Sequence, residues 1–488
     1  MFLVMIFRFI LLCLVINFAI CISQNPILII VSYDAFKYDF FNTKDIPHMK
    51  SLRKLGSYSD YLINVFPTKT FPNHHSIATG LYPEVHGVIG NSYFDTSTNK
   101  EVHISYDMFH YDDSVVPIWR KNEDSGGNRH SGAMMWPGGC YPYQAKNITY
   151  CKDYDHQYDW FKRVDMVISW LKDPKQPANL VMVYFEEPDT DAHIYGITSN
   201  VVDGLIKKLD NISQYLEQQL EVNHLKEKVH VVHLSDHGMV DVKPTNFVNV
   251  TQHLTPNTYN YAGSSPLLEF HPKKGFENEV YQKLKNASIK DGRFTVYKKD
   301  EYPERWHYKK NRRSPPILVM ANVGYGLDDL IHYVTEGAAK YNLKVTNQST
   351  FGVHGYDYTE KEMHPFFMVR GPRIKINHKV SPFNTVDLFN LFCEILEIAP
   401  TKNNGTVANI ANMFLARSNG KYSLTTILTI TAGGIVIALI LISCAAVLTL
   451  MMIKRQQSIT TTAALNKRFP QTFHGSIEAQ HLLEPEDA

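Results

Sequence analysis

Six acid and imidazole side chains stand where they could share metal ions. Asp34 follows the apolar run "PILIIVSYD", Asp189 and His193 stand four apart in "PDTDAH", Asp236 and His237 are adjacent in "SDHGM", and His354 lies in "GVHGYD". Three carboxylates with three imidazoles form the mixed oxygen and nitrogen ligand set that suits zinc. Divided three and three, they would hold two zinc ions and leave positions open for a hydroxyl and a substrate oxygen. Singly, each is ordinary: an Asp after a strand often caps a helix, and a loop His is commonly solvated. "SDHG" is the most pointed of them, because two ligand types share a tight turn beside a Gly. A hydroxyl is on offer in "NVFPTKTFPNHHSIATG", residues 64–80. Pro72 suits the first turn of a helix and Gly80 its end, which predicts a short helix with Thr70 at its N-terminus. Backbone N–H groups there favour negative charge. Read alone, Thr70 is a helix cap; beside metal ions it becomes a nucleophile toward an anion.

Such residues, scattered over more than 300 positions, need elements that deliver them to one place. "PILIIVSYD", "NLVMVYFEEPD" and "VHVVHLSDHG" are short β-rich apolar runs ending in Asp34, Asp189 and Asp236–His237, and "PFFMVRGP" follows later. Helical patterns lie between them at 48–55, 159–172, 201–221 and 384–396. Apolar strands alternating with amphipathic helices predict an α/β fold with a mostly parallel sheet covered on both faces. In such folds sites form beyond the C-terminal ends of the strands, where three of these runs carry an acid.

The chain has 488 residues, 44% hydrophobic and 20% charged, with a net charge of +1. That balance argues against a nucleic-acid binder working through a basic surface. Residues 1–23 carry one Arg and a long apolar run, with Cys21 and Ser23 at the −3 and −1 positions of a cleavage site, and read as a signal peptide. From Leu424 to Ile453 no residue is charged, and Lys454 and Arg455 follow. This predicts a transmembrane helix at 424–453 with the 454–488 tail in the cytoplasm. The expectation is a single-pass type I membrane protein with residues 24–423 outside the cell. Glycosylation sequons at Asn147, Asn211, Asn249, Asn286, Asn347 and Asn404 all fall in that portion. So do Cys140, Cys151 and Cys393, of which Cys140 and Cys151 are near enough in sequence for a small-loop disulfide. In the tail, Glu478 with Leu482 and Leu483 has the spacing of an acidic dileucine sorting signal.

The segments "NVFPTKTFPNHHSIATGLYPEVHGVIGN", "EEPDTDAHIYG", "SDHGM", "GVHGYD" and "VYKKDEYPERWHY" together resemble the signature segments of the ectonucleotide pyrophosphatase/phosphodiesterase family, in the family's order over roughly residues 26–410. The resemblance implies an alkaline-phosphatase-like sheet and a catalytic domain at 24–410, joined to the membrane helix by a linker at 411–423. It implies Thr70 as nucleophile, with Asp34, Asp236 and His237 holding the adjacent zinc and Asp189, His193 and His354 the other. Asn91 corresponds to a residue that helps hold a non-bridging phosphate oxygen. Phe71 and Tyr154 correspond to the aromatics that sandwich a nucleotide base; the surroundings of Tyr154, and the segment "ANVGYGLDDLIHYVTEGAAKYNLKVTNQS", depart from the family pattern. The implied activity is hydrolysis of extracellular nucleotides such as ATP, ADP, NAD and dinucleoside polyphosphates through a phospho-threonine. A choline-headgroup lipid phosphodiesterase is the alternative among enzymes, and it would need an aromatic and acidic cage for the cation. A catalytically silent adhesion or receptor ectodomain is the alternative outside them, and retention of Thr70 and all six ligands argues against it.

Overall fold

The apolar runs assemble into one eight-stranded sheet: β1 (Ile27–Tyr33), β2 (Ser57–Ser59), β3 (Ser131–Met134), β4 (Tyr150–Lys152), β5 (Leu180–Phe185), β6 (Val229–Leu234), β7 (Phe367–Arg370) and β8 (His378–Val380). The strand order is β8-β2-β7-β6-β1-β5-β3-β4. All pairings are parallel except those of β7, which runs antiparallel to both β6 and β2. The computed structural model describes residues 22–334, 344–416 and 424–468. Every residue of β1, β5 and β6 is buried, which is why these strands read as unbroken apolar runs rather than alternating ones. Their register pairs Tyr33 with Phe185 and Ser32 with Leu234. The residues that follow all three strands therefore leave the sheet at the same edge.

Two groups of helices flank the sheet. Helix Asn200–Val222 packs against helices Pro47–Lys54 and Trp160–Leu171, while helix Leu388–Leu396 packs against Thr70–Thr79 and Ile118–Asp124. The long helix buries Val202, Ile206, Leu209, Leu216 and Leu220, a stripe at helical spacing. Asp210 interrupts that stripe and is itself buried, because its carboxylate accepts the N–H groups of Met49 at 2.7 Å and His48 at 3.2 Å. It thereby serves the free N-terminus of the neighbouring helix. This is the mixed, mostly parallel α/β arrangement of an alkaline-phosphatase-like fold.

A second sheet has four antiparallel strands in the order Tyr259–Ser264, Leu267–Pro272, Ile317–Ala321, Phe294–Lys298. With helix Glu277–Asp291 it closes a core of its own around Leu268, Phe270, Leu284 and Val319. A short ribbon, Val240–Val242 paired antiparallel with Phe351–Val353, carries the chain back toward the C-terminal edge of the main sheet. Cys140 and Cys151 form a disulfide with Cα atoms 5.5 Å apart. Cys393 is a buried free thiol in helix Leu388–Leu396, and burial pushes it up to about 12. All six sequon asparagines are exposed.

Contacts divide the chain into Met1–Leu415 and Ala416–Ala488. In the second unit a helix runs Leu424–Arg468, starting where the charge-free run starts and continuing past Lys454 and Arg455. An 18-residue window within its stretch Gly433–Thr460 has a mean hydropathy of 2.9. At 1.5 Å per residue those 28 residues reach about 42 Å, longer than the roughly 30 Å hydrocarbon layer. It is a candidate membrane span. Residues 1–21 of the signal peptide expected at 1–23, residues 417–423 of the linker expected at 411–423, and the part beyond 468 of the tail expected at 454–488, with Glu478, Leu482 and Leu483, lie outside the described residues.

Candidate active site

Asp34 stands one residue beyond β1, Asp236 and His237 two and three beyond β6, and Asp189 four beyond β5, at the start of helix Asp189–Tyr195. On that helix Asp189 and His193 are one turn apart and so share a face. His354 follows the returning ribbon. One potential ligand atom from each of Asp34, Asp236 and His237 lies within 4.8 Å of the others, and the same holds for Asp189, His193 and His354. The two groups adjoin: the His237 and His354 rings stack with centroids 3.7 Å apart.

The hydrogen bonds around these residues are those of a cation site. His237 Nδ1 donates to Gly238 O at 2.9 Å, His354 Nδ1 to Thr68 O at 2.9 Å, and His193 Nδ1 to Gly352 O at 2.8 Å. With the proton committed at Nδ1, each Nε2 has a lone pair to offer, the tautomer that metal-binding histidines adopt. Those lone pairs face carboxylate oxygens: His237 Nε2 is 3.1 Å from Asp236 and 3.3 Å from Asp34, and the Nε2 atoms of His193 and His354 are each 3.4 Å from Asp189. Acceptor thus faces acceptor. One oxygen of each aspartate, Asp34 Oδ1, Asp189 Oδ1 and Asp236 Oδ2, is buried without a hydrogen bond, a costly state for a charged atom unless a cation answers it. Burial, then the charges of Asp236 and Asp189, push the Asp34 carboxyl well above the usual range. Burial works the same way on Asp189, but His193 and His354 outweigh it and hold that carboxyl low. The residues fit bound metal.

Thr70 opens helix Thr70–Thr79, with Lys69 in the capping position in an extended conformation and Gly80 closing it at φ 70°. The Thr70 hydroxyl does not cap; it lies 3.3 Å from His237 Nε2. Asn91 Oδ1 accepts the N–H of Phe71 at 2.9 Å, which leaves its amide Nδ2 as a donor. Thr70, Phe71, Asn91 and Tyr154 all line one cavity of about 450 Å³, together with Trp136, Tyr141 and Tyr184. Tyr154 is 55% exposed at its rim; desolvation by the wall, then the charge of Glu186, pushes its hydroxyl up to about 12.

Sequence reasoning missed several supporting residues. Tyr184 donates its hydroxyl to Asp34 Oδ2 at 2.6 Å; the signal was a Tyr in an otherwise apolar strand. His74 Nδ1 donates to Thr70 O at 2.8 Å and its Nε2 accepts from Ser32 Oγ at 2.9 Å, and Nδ1 lies 3.4 Å from Asp236. It stands one helical turn after Thr70, which the sequence displayed. Lys69 is buried beside Thr70 with its ammonium on Ser265 O at 2.7 Å and Ser264 Oγ at 3.1 Å, and burial lowers it to about 8. Ala35, next to Asp34, holds a left-handed φ of 57°, which turns its N–H onto Asp236 Oδ1 at 3.2 Å. Backbone strain of this kind is concentrated at functional sites.

The sequence pattern of the family described as "Type I phosphodiesterase / nucleotide pyrophosphatase" matches residues 28–357. "Bis(5'-adenosyl)-triphosphatase ENPP4" of Homo sapiens is 34% identical over 389 residues, covering 79% of this chain and 81% of that protein. "Ectonucleotide pyrophosphatase/phosphodiesterase family member 5" of Homo sapiens is 33% identical over 401 residues, covering 81% and 80%. Among solved structures, murine ectonucleotide pyrophosphatase/phosphodiesterase 5 in complex with AMP, in an inactive threonine-to-alanine form, matches with a TM-score of 0.71 at 32% identity. That match covers 80% of this chain and 100% of the other.

Proposed function

The chain belongs to the type I phosphodiesterase/nucleotide pyrophosphatase family, and from that premise we propose that it is a cell-surface, zinc-dependent hydrolase of extracellular nucleotides. The reading rests above all on three aspartates, each with one buried, unpaired oxygen, meeting three imidazole lone pairs beside an uncapping threonine hydroxyl. Asp34, Asp236 and His237 would hold one zinc ion and Asp189, His193 and His354 a second. Bound there, zinc supplies Lewis-acid chemistry, lowering the pKa of a hydroxyl oxygen and offsetting phosphate charge.

The protein's own residues do the rest. The Thr70 oxygen attacks phosphorus, the P–O bond to the leaving group breaks, and a phospho-threonine remains. Water then attacks that phosphorus, releases the nucleoside monophosphate and restores the hydroxyl. The helix N-terminus at Thr70 and the Asn91 amide favour the phosphate oxygens. Phe71 and Tyr154 hold the base from two sides, and this favours ATP, ADP, NAD or dinucleoside polyphosphates over a choline ester. The name of human ENPP4 and the AMP bound to murine member 5 support a nucleotide substrate, and the inactive threonine variant of the latter supports the nucleophile. The apolar C-terminal helix, with the exposed sequons, supports a membrane-anchored, glycosylated ectodomain of type I orientation.

The test is Thr70→Ala against Thr70→Ser. Ala is expected to abolish turnover of a dinucleoside polyphosphate while elemental analysis still gives close to two zinc per chain, and Ser to retain part of the activity. Near wild-type turnover by the Ala variant would remove the covalent mechanism; an active preparation without metal would remove the zinc.

A further inference from the structure

The wall of the cavity beside Tyr154 is framed more firmly than a loop. It consists of the stretch from Met135 to Tyr141, which follows β3, and the stretch from Lys152 to Tyr154, which ends β4 and continues past it. The two strands are parallel neighbours pairing Ala133 with Cys151 and Met134 with Lys152. Met135 N donates to Lys152 O at 2.9 Å, and the Cys140–Cys151 disulfide ties the stretches together. Asp153 therefore emerges two residues after a crosslink and immediately before the proposed base-stacking Tyr154.

Apart from Lys152 and Asp153, the described residues lining the cavity are uncharged. The Lys152 ammonium is engaged elsewhere, 3.4 Å from Asp155 Oδ2 and 4.9 Å from the Tyr158 ring centre. A carboxylate oxygen of Asp153 lies within 4.8 Å of both disulfide sulfurs, and Cys140 itself lines the cavity. Among the described residues that carboxylate has no hydrogen-bond or ion-pair partner. It is an exposed acceptor lining the same cavity as Phe71 and Tyr154 and adjoining Tyr154 in the chain.

We infer that Asp153 selects nucleotides whose base carries an exocyclic amino group. The inference rests on the nucleotide reading above. Adenine and cytosine offer an N–H donor to a carboxylate; hypoxanthine and uracil place a carbonyl oxygen at the same position, and that oxygen is repelled. Stacking on Phe71 and Tyr154 is nearly blind to the difference, because every base has a π face. Asp153 supplies the discrimination that stacking lacks.

The experiment uses the full chain in detergent and the 5′-p-nitrophenyl phosphate esters of adenosine, inosine, cytidine and uridine. Within each pair, adenosine against inosine and cytidine against uridine, the substrates share leaving group, phosphate and ribose and differ in amino against carbonyl and, at the adjacent ring nitrogen, in acceptor against N–H donor. Wild type is expected to favour the amino member by about ten-fold in kcat/KM, the scale of one hydrogen bond to a charged acceptor. Asp153→Asn, whose amide can also donate, should collapse both ratios toward one. A wild type indifferent within both pairs, or an Asp153→Asn variant with the wild-type ratios, overturns the inference while leaving the nucleotide reading standing. Bis(p-nitrophenyl) phosphate, which has no base, tests that reading separately: if wild type cleaves it as efficiently as the nucleoside esters, the nucleotide reading falls and the inference falls with it.

Discussion

Tyr184 and Asp34 show how much of the site depends on hydrogen bonds that support the candidate ligands. The Asp34 carboxylate has two oxygens: one takes the Tyr184 hydroxyl at 2.6 Å and the other is unpaired and faces His237. The hydroxyl thus decides which oxygen is left for a cation. Tyr184→Phe should leave the fold intact, since the ring stays, but free the second oxygen to rotate. Losing such an outer hydrogen bond to a ligand typically costs 10- to 100-fold in metal affinity or activity. Chelator competition, followed by release of bound metal, should show a loss within about that range; unchanged affinity would mean the hydroxyl serves packing only. Residues of this class were hard to read from sequence because their role is set by a neighbour 150 positions away.

Helix Asp189–Tyr195 and the ribbon Phe351–Val353 meet at Gly352. A Cβ built there would stand 2.6 Å from Ala192 O and 2.2 Å from Met239 Sδ. The carbonyl is main chain, so the helix bearing Asp189 and His193 would have to move. Gly352 O also accepts the His193 Nδ1 proton. Gly352→Ala should therefore cost roughly 1–3 kcal/mol of stability through overpacking and lower activity at least about ten-fold. Gly204→Ala is the matched contrast. Gly204 lies within helix Asn200–Val222 with nothing within 4 Å of its would-be Cβ, so Ala should stabilise by about 0.5–1 kcal/mol. Thermal melting and turnover of both variants check the pair; equal effects would mean the close approach at Gly352 is not what places the helix. The antiparallel strand β7 is an element the sequence left open, because "PFFMVRGP" has the same apolar, fully buried pattern whichever way the strand runs.

The whole molecule carries an acid sensitivity built into its interior. His75, His230 and His233 are buried, and burial, joined by nearby cationic groups, lowers them to about 3, 4 and 3. Each stays neutral in the native state, whereas an unfolded His takes up its proton near pH 6.5. Native stability is therefore complete above about pH 6.5 and falls as pH drops toward the native values, because there the unfolded state binds more protons. At pH 5 the loss is about 2 kcal/mol for each residue. His75 has neither ring nitrogen hydrogen-bonded and packs on Phe109. His75→Phe should flatten the decline in melting temperature between pH 7 and 5; an unaltered slope would show that His75 does not contribute. At this scale the division between sequence and structure is plain. The sequence alone determined the strands ending in acids, the helix starting at Thr70, the apolar C-terminal run and the residue types of the six candidate ligands, because period, punctuation and side-chain chemistry are local properties. That the acids emerge at one edge follows from the parallel order β6-β1-β5 and its register. That three carboxylate oxygens are left unpaired beside three imidazole lone pairs, and that the disulfide sets Asp153 on the cavity wall, was decided only by tertiary structure, because hydrogen-bond partners and burial are fixed by residues far apart in the chain.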